Sequence, residues 1–144
     1  MLGILEGLSE EDLRRPVLPS GWACVGLVQH LALDVERWWF RTITAGEPDE
    51  SAEVVSDSWQ VSPHVPADAV LDLYRREIER ANAIIARAPL DTPPATWPED
   101  IWPTWHLENL RQTLLHVITE MATHAGHLDA ARELIDGRTW LVVN

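Results

Sequence analysis

Cysteine is almost missing from this 144-residue chain: only Cys24 occurs, so no disulfide can staple the fold, and a thiol set between Ala23 and Val25 reads as a small core residue. Long apolar runs are missing as well. No stretch reaches the roughly eighteen residues of a membrane span, and no basic-then-apolar start marks a secretory signal. The expectation is a soluble, cytoplasmic protein. Positive charge is scarce, with eleven basic against twenty-three acidic residues and a net charge of −12. Such a balance repels phosphate backbones and anionic lipid, which argues against nucleic-acid and membrane partners. Phenylalanine and tyrosine occur once each, yet there are eight tryptophans. Three of them, Trp97, Trp102 and Trp105, crowd into one proline-rich stretch.

The apolar content, 46% of residues, suffices for one core in one domain over residues 1–144. From Met1 to about Arg14, leucines at 2, 5, 8 and 13 describe a short helix or the tail of one. Pro16 and Pro19 break it, and Ser20 is the nearest capping side chain for the next helix. Leu27, Val28, Leu31, Val35, Trp38 and Trp39 recur at helical spacing within Trp22–Ala45, a helix stopped by Gly46 and Pro48. Residues 46–66 mix acids, serines and prolines without a period and read as an acidic loop with at most one short turn. A third helix runs from Asp68 to Ala88 and ends at Pro89. Residues 89–106 are too irregular for an element and too apolar for a disordered linker, so this loop is expected to pack on the fold. The last helix spans about Leu107 to Asp136, with Gly137 as its cap, and a short apolar tail comes after it. Together these patterns predict an all-α, antiparallel four-helix bundle with a shortened first helix and long loops after helices 2 and 3.

On the last helix His116, Glu120, His124 and His127 fall within an arc of roughly 80° and form one stripe. His116 and His124 lie roughly 12 Å apart along the axis, too far to share one ion. The pairs left open are His116/Glu120, Glu120/His124 and His124/His127, and the middle pair combines an imidazole nitrogen with a carboxylate oxygen at i, i+4. A third ligand would come from another helix. His30, at the margin of a buried face between Leu27 and Leu31, is the foremost candidate; Asp34 is a second, or could hydrogen-bond a ligating imidazole and fix its tautomer. His116 alone reads as a hydrogen-bonded boundary residue, and His64 and His106 as surface or packing residues. Glu120, on the buried stripe, needs an ionic or metallic partner.

The segments LPSGWACVGLVQHLALDVERWWF and LLHVITEMATHAGHLDAARELIDG resemble the DinB/YfiT-like superfamily, more narrowly its actinobacterial branch of mycothiol-dependent enzymes. The strings G-L-V-x-H-L, E-R-W-W-F and H-A-G-H-x-D carry the likeness. The resemblance implies a four-helix bundle holding a divalent metal, zinc, nickel or iron, on His30 from the second helix and the Glu120/His124 pair from the last, with His127 supporting the site. It also implies a low-molecular-weight thiol such as mycothiol as cosubstrate, and so a thiol transferase acting on small electrophiles. In that reading Arg132 and the Trp97, Trp102 and Trp105 cluster bind cosubstrate or wall a pocket. A metal-activated-water hydrolase and a non-catalytic metal-binding bundle are the alternatives. The first helix is shorter than the family's, which would expose apolar surface for a homodimer partner or for the C-terminal tail to cover.

Overall fold

A computed structural model describes residues 1–48 and 57–141. Part of the acidic loop and the end of the apolar tail lie outside the described residues. The chain is all-α, with no strand among the described residues: α1 (Leu2–Leu5), α2 (Glu10–Arg14), α3 (Cys24–His30) running without a break into a π-helical segment (Leu31–Thr44), α4 (Ala67–Ile85) and α5 (Leu110–Asp136). No described helix is long and apolar enough to cross a membrane. One hydrophobic core joins all of these elements, with Leu27, Val28, Leu31, Tyr74 and Leu128 fully buried at its centre. Cys24 is among them, as its apolar neighbours foretell, and burial pushes its thiol up to about 11.

The helix ends obey local chemistry, with two departures from the expected caps. Gly137 adopts φ 76° and closes α5, and Gly46 at φ 72° comes just after the π-helical segment, both in the left-handed region that favours glycine. Ser20 is not a cap: α3 starts after Ala23, with no side-chain cap bond. The cap of α5 is Asn109, whose side chain accepts from Gln112 N at 3.1 Å, so the helix starts three residues later than the apolar pattern suggests. For α4 the capping group comes from elsewhere in the chain, since Ala67 N donates to the Glu10 carboxylate at 2.9 Å.

The N-terminal leucine pattern is not one helix. Gly7, at φ 82°, turns the chain between α1 and α2, and Arg132 fastens the turn. Its buried guanidinium donates to the carbonyls of Ile4 at 2.6 Å and Glu6 at 2.9 Å while pairing with Asp136 at 2.9 Å. The beginning of the tail returns to the same place. Buried Asp129 accepts from Trp140 N at 2.5 Å and Leu141 N at 3.0 Å. The Trp140 ring lies so close to Gly3 that a Cβ there would sit 2.7 Å from it.

Two further departures shape the middle of the molecule. Beyond His30 the backbone bonds reach five residues back, as from Ala45 N to Phe40 O at 3.1 Å, a winding that is rare beyond single turns. Nine residues at about 100° each would put Trp39 opposite His30, whereas i→i+5 winding at roughly 82° per residue brings both to nearly one side. The loop at 57–61 also packs directly on α3. A Cβ on Gly26 would lie 2.2 Å from the Trp59 carbonyl oxygen, so only glycine admits this approach. Gln29 Nε2 secures the loop by donating to Ser58 O at 2.9 Å and Gln60 O at 3.3 Å. The proline-rich loop packs as expected, with Ala95 N and Thr96 N donating to Ile43 O at 2.9 and 3.3 Å and Thr96 Oγ1 to Thr42 O at 2.9 Å.

A buried polar layer lies between the π-helical segment and α4. Glu77 accepts from Arg37 at 2.6 Å and from Arg41 at 3.2 Å; burial alone would raise its pKa, but the two guanidinium groups hold it below the ordinary carboxylate value. Glu36 has no such cation. Burial, and secondarily the Glu77 charge, push it to about 7 from 4.5.

This packing has two measurable outcomes. Gly26→Ala must displace backbone rather than a flexible side chain, so a loss of about 1–3 kcal/mol is expected in urea denaturation, with a changed near-ultraviolet tryptophan signal; unchanged stability would contradict the close approach. Because folded Glu36 binds its proton more tightly than the unfolded chain does, its contribution falls as pH rises from about 4.5 to 7 and is then flat. Glu36→Gln should therefore gain on the parent by on the order of 2–3 kcal/mol between pH 5 and pH 8 in parallel denaturant titrations. A pH-independent difference would rule this out.

Candidate metal and thiol-transfer site

His30 is the last α-helical residue before the winding changes, and three neighbours orient its ring. Nδ1 donates to Asp34 Oδ2 at 2.8 Å. Ser58 Oγ donates to the same carboxylate oxygen. The Trp59 indole stacks on the imidazole with centroids 4.3 Å apart and planes 20° from parallel. An Nδ1–H held by a carboxylate leaves Nε2 with its lone pair available, the usual arrangement of a ligating histidine.

Across from it, on α5, His124 is buried and meets the His30 ring edge-on at 5.0 Å. Its Nε2 stands 3.5 Å from Glu120 Oε2, while Nδ1 is buried without a hydrogen-bond partner among the described residues. Burial first, and then the nearby His30, lower the His124 pKa below its ordinary 6.5. The ring is therefore neutral at pH 7, the form that can donate a lone pair. Two imidazoles and a carboxylate suit a divalent ion with open coordination positions, and the unused His124 nitrogen agrees with that chemistry. As the side chains stand, no set of three or more His, Cys, Asp or Glu residues among those described is gathered closely enough to enclose an ion.

Beside these residues opens a cavity of about 440 Å³ lined by His30, Asp34, Val35, Trp38, Trp39, Ile101, Trp102, Trp105, His116 and Glu120. The π-helical winding brings Trp39 to it, and the proline-rich loop brings Trp102 and Trp105. His116 lies edge-on to Trp39 at 4.6 Å and belongs to this aromatic wall. Trp97 stands behind the wall, packed on Trp39, Trp102 and Trp105. Exposed His127 lies at the far side of His124, 5.6 Å away and 6.2 Å from Trp22. Arg132 is not part of the cavity wall: its guanidinium is committed to the N-terminal turn and to Asp136.

Reading by helical period overlooked Trp59, Ser58 and Trp39. The first two sit in a loop with no period, and the third would face away from His30 in an ordinary α-helix. Gly26 was the available signal, because a glycine in a helix interior often marks close backbone approach.

No curated protein and no solved structure gave a match to this chain. The mycothiol-S-transferase family matches it over residues 1–137. With that match spanning nearly its whole length and agreeing with the motifs around His30 and His124, the chain belongs to the mycothiol-S-transferase family.

Proposed function

We propose that this protein transfers a low-molecular-weight thiol of the mycothiol type to a small electrophile, with a divalent metal held by His30, Glu120 and His124. The observation that carries this reading is the placement of His30 beside His124, and of His124 beside Glu120, at the edge of a tryptophan-lined cavity, in a member of a mycothiol-S-transferase family. Bound there, zinc, nickel or iron would supply Lewis acidity that favours the thiolate well below the free thiol's pKa of about 8.5. The nucleophile must come from outside, since Cys24 is buried and its pKa is raised to about 11.

The chain's own residues perform the remaining work. Asp34 and Ser58 fix the His30 tautomer, and the stacked Trp59 limits rotation of its ring. Glu120, partly exposed beside His124, supplies the carboxylate and can accept a proton from an arriving thiol. The tryptophans exclude water and hold the electrophile's apolar body near the sulfur, so that the transfer becomes effectively unimolecular. The sulfur forms the new C–S bond as the thiol S–H bond breaks; the electrophile either expels its leaving group as an anion or, if it is an activated alkene, takes the proton at the neighbouring carbon, and the product in both cases is a thioether.

The test is conjugation of a bimane electrophile with mycothiol by protein purified without a metal-affinity tag. Glu120→Ala should lose bound metal and at least about 100-fold in thiol-dependent rate while keeping its helical circular dichroism. Unchanged metal content would refute the ligand assignment. Equal turnover without thiol would refute transfer and point to activated water.

A further inference from the structure

Within the thiol-transfer reading, the cavity itself restricts the electrophile. Its aromatic surfaces stand in two perpendicular directions. Trp39 and Trp102 are nearly parallel, 8° apart with centroids at 5.5 Å, and Trp105 is perpendicular to both, at 87° and 83°. Trp38 closes a further side at 75° to Trp102. These indoles pack on one another and present a preformed, largely apolar aromatic wall to the cavity, which an aromatic body can contact by face or edge. The volume, about 440 Å³, lies in the range of small-molecule sites. Trp105, 39% exposed, and Ile101, 56% exposed, form the entrance.

The charges select in the same direction. Among the described residues no cationic side chain other than imidazole lines the cavity, whose acidic members are Asp34 and Glu120. The chain contains no lysine. Its buried arginines are committed elsewhere, Arg41 to Glu77 and Glu47 and Arg132 to the N-terminal turn. A divalent ion would be offset by the two carboxylates, and an added thiolate would leave the site negative. Indole faces likewise attract cations and repel anions. An electrophile carrying carboxylates would find nothing to neutralise it.

We propose that the second substrate is an aromatic electrophile bearing no negative charge, either neutral or cationic, and that anionic electrophiles are excluded. Binding can be measured apart from chemistry, by calorimetric titration of the purified protein without thiol. The probes are unreactive and of similar shape: N-methylquinolinium, 2-naphthalenemethanol and naphthalene-2-sulfonate. The first two should bind at least tenfold more tightly than the sulfonate. Trp105→Ala, at a partly exposed position and with its helical circular dichroism checked against the parent, should weaken them at least fivefold. Sulfonate binding equal to that of the cation, or probe affinity unaffected by both Trp105→Ala and Trp102→Ala, overturns the proposal. Thiol transfer without charge preference would defeat this inference alone. The expected preference in a protein that transfers no thiol would leave the cavity's ligand class standing and defeat only the catalytic reading.

Discussion

The contact between the Trp59 carbonyl and Gly26 governs the geometry around His30. A helix surface ordinarily keeps a neighbouring backbone at side-chain distance, and the missing Cβ removes that spacing. The loop can then lie against α3, where Gln29 satisfies two of its carbonyls that would otherwise be partly buried without partners. Two of the three groups that orient His30 depend on this approach. The Trp59 ring reaches the imidazole, Ser58 reaches Asp34, and the same indole extends to His124 at 5.8 Å and Trp22 at 6.4 Å. One absent methyl group thus connects a loop without periodicity to the candidate ligands of two helices.

The change of winding after His30 has a comparable effect on the other half of the site. Extended π-helix is less favourable than α-helix, and such irregularities gather at functional positions. Here it brings Trp39 round to the side of His30, where the proline-rich loop adds Trp102 and Trp105. The cavity is therefore built from one irregular helix and one irregular loop, each held by the other through Ile43 and Thr42. Stability comes from elsewhere, chiefly from the apolar centre and the arginine clamps on Glu77 and on the N-terminal turn. This separation leaves the site free to carry an underpartnered imidazole nitrogen, a feature a uniformly optimised core would lack.

Much of this was legible in the sequence where a regular period or a strong local signal existed. The long helices, the glycines at 46 and 137 and the packed proline-rich loop all reflect side-chain spacing and backbone preference. So does the burial of Cys24. The stripe on α5 isolated Glu120 and His124 because an unbroken α-helix preserves angular arithmetic. That arithmetic fails where the winding changes, which hid Trp39, and where the chain has no winding, which hid Ser58 and Trp59. Gly7 broke the first leucine pattern because spacing alone does not register a left-handed residue. Arg132 looked available because its partners are backbone carbonyls of a turn more than a hundred residues away, which no pattern local to α5 reveals.

Anomalous diffraction from crystals of the protein equilibrated with zinc locates the ion among these side chains. A single strong peak is expected about 2.0–2.2 Å from His30 Nε2 and from the Glu120 and His124 side chains. A peak at other residues, or none between these three at saturating zinc, would contradict it.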